Sequence, residues 1–269
     1  MHNRTMKAKL FLIITAALCS LQTYAQQLTD FPYPSLPDTL KGVEQRAEYL
    51  SIHYWDNYDF ADTLLLKNEN VTEQGFVNFI DLMPRFSRET AEKGIENFCQ
   101  KAFCNTKAKE KFESLIEHYY DNPQSPMRND RIYLLFLAAM NKNGSFSEAE
   151  KERINFKIRS TDKNLPGNVA LDFTFCDKQG VSHRLSDYKG QRTIIYFFDP
   201  DCENCKRITA WLQKQTIPAD IAFLNVLADE KLTTLYSIRA TPTIFLLDKD
   251  NCVVLKDCTA EELINAITD

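Results

Sequence analysis

Apolar residues recur along this chain with two different periods, and the change from one to the other divides it. From Asp38 to about Ile158 they return every three or four residues, the spacing that lines one face of an α-helix. Leu40, Val43, Ala47, Leu50 and Tyr54 form the first such face, predicting a helix from about Asp38. Phe76, Phe79, Ile80 and Met83 form a second, closed near Pro84 because proline removes a helix donor. Ile95, Phe98, Cys99, Ala102 and Phe103 make a third, and Phe112, Leu115, Ile116 and Tyr119 a fourth. Ile132 to Met140 reads as a compact buried helix, and Ser147-x-x-Glu150 is a capping box that opens another toward Ile158. Strand-like alternation is missing from this stretch. Its aromatic cluster of Tyr54, Trp55, Tyr58 and Phe60 is read as a packing node of the core rather than a ligand platform.

Beyond the polar stretch Ser160–Asn168, with Pro166-Gly167 as turn punctuation, the period changes. Ala170 to Cys176 alternates as a strand, Asp177 to Gly180 turns, and Val181 to Leu185 returns as a hairpin. The unbroken apolar run Ile194–Phe198 predicts a strand buried on both faces, and Ile221–Leu227 another. Helices are marked by Ile208, Trp211 and Leu212, and by Leu232, Leu235 and Tyr236. The strand Ile244–Leu247, an edge strand Cys252–Lys256 and a helix capped by Thr259-x-x-Glu262 close the chain. The pattern therefore predicts two domains: all-α over 26–160 and α/β over 165–269.

The length of 269 residues allows two ordinary domains. A formal net charge of -5 argues against nucleic acid or an anionic membrane surface as partner. The four histidines, at 2, 53, 118 and 183, are too scattered to build a metal cluster by spacing. Residues 1–25 read as a secretory signal peptide: Arg4, Lys7 and Lys9 are followed by the apolar Leu10–Leu18, and Thr23-Tyr24-Ala25 offers a cleavage site before Gln26. The apolar run falls far short of the about 20 residues that span a bilayer. Lipidation at Cys19 ranks behind both, because Leu18 is bulky where such sites take a small residue. Export predicts a periplasmic location without a transmembrane anchor after cleavage, and an oxidising compartment.

That setting directs attention to Thr193–Arg207, TIIYFFDPDCENCKR. Asp199-Pro200-Asp201 ends the strand, and Cys202 and Cys205 come where a helix begins. A cysteine at a helix N-terminus meets free N–H groups and the positive end of the dipole, both of which favour a thiolate. Cys205 lies one turn on, within reach of a small disulfide.

This strand, CxxC and helix, with Ile238-Arg239-Ala240-Thr241-Pro242-Thr243 ahead of a later strand, resembles the thioredoxin superfamily. The hairpin followed by Leu185-Ser186-Asp187-Tyr188-Lys189-Gly190 is similar to the opening of its TlpA-like and peroxiredoxin-like members. The resemblance implies a cis bond at Pro242 beside the cysteines, with Thr241 and Pro242 facing substrate. It implies thiol-disulfide exchange with protein substrates, an external redox partner and no bound cofactor. Three positions depart from the pattern: Asp201 where many relatives have tryptophan, Glu203-Asn204 without a proline before the second cysteine, and Tyr196 where thioredoxins often bury an aspartate. The helical segment, through HYWDNYDF at 53–60, resembles an uncharacterised domain found ahead of thioredoxin-like domains in secreted bacterial proteins. It carries no catalytic motif, and is expected to restrict access or choose partners.

The other cysteines are read structurally. Five residues of continuous helix would hold the Cα atoms of Cys99 and Cys104 about 7.5 Å apart along the axis, too far for a disulfide. Cys176, Cys252 and Cys258 leave room for one bridge without indicating which. Zinc at the CxxC pair requires two further ligands that Cys252-x5-Cys258 does not supply as a second knuckle. A peroxidase of the pattern Pro-x-x-x-Thr-x-x-Cys needs threonine where Asp199 stands. The non-enzymatic alternative is a binding or scaffold protein with a structural Cys202–Cys205 disulfide. The sequence expectation is an extracytoplasmic thiol-disulfide oxidoreductase, acting as a reductase of protein disulfides.

Overall fold

The computed structural model describes residues 30–268 except Gln124 and Lys178. The expected signal peptide, its cleavage site and Cys19 lie outside the described residues. Among the described residues no helix is long and apolar enough to cross a membrane. Two compact units form: residues up to Gly94 with Cys104–Lys111, and Ile95–Phe103 with Phe112–Asp269.

The first unit contains α1 (Val43–His53), α2 (Thr63–Lys67), α3 (Glu69–Leu82) and the first parts of α4 (Arg88–Ala102) and α5 (Thr106–Ile116). Helix α1 begins five residues later than the pattern predicts, at a Val43 that is 84% exposed. Gly42 gives it no side-chain cap, and Ser51 is its one buried residue, so α1 is a surface helix anchored by the aromatic node at its C-terminal end. That node is the expected one. Tyr54, Trp55 and Tyr58 are buried around Phe31, with the Phe31 and Trp55 rings 5.0 Å apart and edge-on. Their polar ends are satisfied inside the core: the Tyr54 hydroxyl donates to the Gly75 carbonyl at 3.0 Å, and the Tyr58 hydroxyl lies 2.6 Å from Thr72 Oγ1. Gly94 lets α4 approach α1, since a Cβ there would stand 2.8 Å from the Ser51 carbonyl oxygen.

The second unit begins with the remaining turns of α4 and α5, then α6 (Asp130–Lys142) and α7 (Glu148–Thr161). Phe98, Phe112 and Phe136 are fully buried and meet edge to face. The capping box of Ser147 and Glu150 is present in both directions. After α5 the chain makes a π turn over Glu117–Asp121, and the residue buried there is Tyr120 rather than the half-buried Tyr119 of the apolar pattern. Helix α4 ends at Ala102, so Cys99 and Cys104 do not share a continuous helix. They are not joined by a disulfide, Cys99 being buried and Cys104 exposed.

From Thr174 the same unit is α/β. Strands β1 (Thr174–Cys176) and β2 (Ser182–Arg184) form the expected antiparallel hairpin, with Phe175 opposite His183. A four-stranded sheet comes next, in the order β4-β3-β5-β6, from β3 (Arg192–Phe198), β4 (Ile221–Leu227), β5 (Thr243–Leu247) and β6 (Val253–Lys256). β3 pairs parallel with β4 through the crossover helix α8 (Glu203–Leu212), and antiparallel with β5. Helices α9 (Glu230–Tyr236) and α10 (Ala260–Thr268) complete it. The apolar run of β3 is buried on both sides as its composition predicts. Ile195 and Phe197 enter one core with Phe173, Tyr236 and Phe245; Ile194 and Tyr196 enter the other with Leu212, Leu263 and Ile267. Cys176, Cys252 and Cys258 are all free, so the possible bridge among them is not formed.

Candidate active site

β3 carries the chain to the sheet edge at Phe198, and the Asp199 carbonyl accepts the Cys202 N–H at 3.2 Å to close the turn into α8. Cys202 is the N-cap of that helix, and its sulfur accepts the Cys205 N–H at 3.1 Å. A sulfur in the N-cap position satisfies one of the four orphan donors that start every helix. Cys202 is partly exposed, whereas Cys205, one turn inward, is 2% exposed. Thr241–Pro242 is a cis peptide bond, and the Thr241 carbonyl oxygen lies 3.3 Å from Cys202 Sγ. Cys202, Cys205, Thr241 and Pro242 thus stand together, the first two from the strand-to-helix turn and the last two from the loop ahead of β5.

A family model described as "Domain of unknown function (DUF5106)" matches residues 17–164, more than half of the chain. The chain belongs to the DUF5106 family. The crystal structure of a thioredoxin-like protein from Bacteroides caccae superposes on 88% of this chain and 98% of that one, with a TM-score of 0.73 and 28% identity. A thiol-disulfide oxidoreductase ResA from Geobacillus kaustophilus is 28% identical over 31% of this chain and 64% of the relative. The ResA of Geobacillus thermodenitrificans is 27% identical over 32% and 66%. The chain therefore spans less than two thirds of these curated relatives, and its likeness to them is distant.

Within this site the two thiols are shifted in opposite directions. Burial works against the Cys202 thiolate, but hydrogen bonds from the Cys205 and Thr241 side chains and from the N–H groups of Cys205 and Asn204 outweigh it, and the thiol sits below its ordinary value. Burial pushes the Cys205 thiol up, and the adjoining Cys202 adds to the rise. Lys206 and Arg207 do not fold back onto the sulfur: Lys206 Nζ is 2.6 Å from Glu203 and Arg207 donates to Asn204 at 2.8 Å.

Tyr196, the departure noted on β3, reaches the same helix from beneath. Its buried hydroxyl donates to the Cys205 carbonyl at 3.1 Å and lies 3.1 Å from Thr209 Oγ1. It holds the first turn of α8 to the sheet with a neutral group, where a carboxylate would add a charge to the core. Tyr196 is legible in the sequence as an inward position of β3, but its hydrogen bonds are not. Arg239, on the loop leading to Thr241, has no sequence signal at all, because its carboxylate partner Asp121 lies 118 residues earlier.

Proposed function

We propose that the chain is an extracytoplasmic thiol-disulfide oxidoreductase that reduces protein disulfides. The observation that supports this most directly is the Cys202 sulfur: partly exposed, capping α8, and lying beside Thr241 on the cis-proline loop. The Cys202 thiolate attacks one sulfur of a substrate disulfide; a Cys202–substrate bond forms, and the other substrate sulfur leaves as a thiolate that takes a proton from water. Cys205, once deprotonated, attacks Cys202 Sγ, closes the Cys202–Cys205 disulfide and releases the second substrate thiolate. The substrate gains two electrons and the chain loses two, which an external dithiol donor of the exported compartment restores. Thr241 and Pro242 shape the substrate side, with the loop backbone available for strand-like pairing.

The test is reduction of insulin by the wild type and by the Cys202→Ser, Cys205→Ser double variant. Turnover is expected in the first only; equal rates would leave the pair a structural feature.

Direction depends on what stabilises the thiolate. It has neutral donors from the helix turn and the loop, while the neighbouring cations are engaged by Glu203 and Asn204. A thiolate without a cation of its own is less stabilised than one whose pKa falls to about 3.5, and a less stabilised thiolate favours the oxidised chain. Equilibration against glutathione is expected to give a potential nearer about -270 mV than about -120 mV. A value at the oxidising end would make the chain an oxidase instead.

A further inference from the structure

The approach to the cis-proline loop is held by residues from outside the α/β fold, all of them within the second unit. α9 ends at Tyr236, Ser237 takes the left-handed conformation with φ 52°, and Arg239 lies two residues on. The last carbonyls of a helix lack partners within it. Here Lys163 Nζ donates to the Thr234 carbonyl at 2.8 Å and Asn164 Nδ2 to the Leu235 carbonyl at 3.2 Å. One step further on, Ser237 Oγ donates to the carbonyl of Ser160 at 2.8 Å. Arg239 completes the series. Its guanidinium donates to the Asp121 carbonyl at 3.2 Å, pairs with the Asp121 carboxylate at 3.2 Å and reaches Thr161 Oγ1 at 3.5 Å.

The anchoring groups are themselves fixed. Asp121 is the last residue of the π turn, and its other carboxylate oxygen is held by Lys157 at 3.0 Å. The backbone at Thr161 and Lys163 is tied to β6, because the nearly buried Lys256 donates to both carbonyls at 3.1 and 2.8 Å and pairs with Asp130 at 2.7 Å. The Arg239 side chain is only 20% exposed, and Asp121 supplies the carboxylate against it. The planar fork engages a backbone carbonyl and a carboxylate at once, which fixes its direction as well as its position.

We propose that Arg239 is a positioning residue of the exchange site, and that the helical DUF5106 segment acts through it. Asp121 and Thr161 hold the guanidinium, the guanidinium holds the backbone at Arg239, and two residues later that backbone presents Thr241 and Pro242 to Cys202. The inference deepens the oxidoreductase reading and rests on it. Its physical content is that the loop's alignment, set by contacts to another part of the chain, is not a property of the α/β fold alone. A misplacement of about 1 Å in a reacting geometry costs up to about 100-fold in rate.

The experiment uses the full chain with Arg239→Gln, Asp121→Ala and the two combined. Backbone hydrogen exchange reads the loop directly, independently of any activity. At Ala240, Thr241 and Thr243 it is expected to rise about tenfold in each single variant, with the β3 amides of Ile195–Phe197 unchanged. The double variant is expected to match Arg239→Gln, because losing the guanidinium already removes the contact that the Asp121 carboxylate makes to it. With insulin, kcat/KM is expected to fall about tenfold and alkylation of reduced Cys202 by iodoacetamide to change by less than that, since alkylation feels the loop only through the Thr241 contact to the thiolate whereas exchange also needs the loop aligned with the substrate. Loop exchange that stays at the wild-type rate, an equal rise in β3, or additive effects in the double variant would overturn the proposal. A wild type that fails to reduce insulin would instead sink the oxidoreductase reading, and the exchange data would still decide whether Arg239 positions the loop.

Discussion

Cys205→Ala is expected to accumulate mixed disulfides between Cys202 and extracytoplasmic proteins, and Cys202→Ala to accumulate none. The difference is all-or-none because the two sulfurs do different work. Cys202 is the partly exposed one, placed at the head of α8 with its sulfur on the Cys205 N–H. Cys205 is buried, so in the proposed mechanism it meets substrate only through Cys202. Without Cys205 the first exchange proceeds and the second has no nucleophile, so the adduct persists until an external thiol cleaves it. The checking measurement is a non-reducing gel of cells expressing each variant, with adducts identified by mass spectrometry. Equal trapping by both variants would show that the exchange order is wrong, and absence of adducts from Cys205→Ala would remove the exchange mechanism altogether.

The α/β half was legible because its signals are local. An apolar pentad on β3 can be read without knowing what covers it, and the CxxC pair needs only the strand before it and the helix after it to be placed. The Thr259 and Glu262 capping pair was equally plain, since each residue bonds the other's backbone across one turn. The helical half gave up its cores but not its edges. Apolar spacing located Phe76, Phe98, Phe112 and Phe136, yet it placed Val43 on a buried face when that residue is in solvent. Spacing reports which residues align on a helix, not whether another element arrives to cover them. The π turn at Glu117–Asp121 escaped for a related reason: a single wide turn shifts the buried position by one residue and leaves no mark in composition. What was least legible bears most on function. Arg239 between two small stretches of loop looks like an ordinary surface cation, and only the fold brings Asp121 and Thr161 to it.

The thiols themselves supply the second large effect. With the chain reduced, iodoacetamide is expected to modify Cys202 at least about 100-fold faster than Cys205 at neutral pH, because both thiolate fraction and access favour it. The pH dependence carries the sign. A thiol held below its ordinary value is already a thiolate at pH values where a free cysteine, with a pKa of about 8.5, is protonated, so the Cys202 rate should level off at lower pH than that of glutathione measured alongside. Cys205 is shifted the other way by burial, and its labelling should still be climbing where Cys202 has reached its plateau. Peptide mapping separates these two from the exposed Cys104 and Cys176, which will also react. Labelling of Cys205 ahead of Cys202 would reverse the two roles. A Cys202 profile that tracks glutathione would mean that the N–H groups at the head of α8 and the Thr241 side chain do not stabilise the thiolate in solution, and the reasoning about redox direction would lose its footing with it.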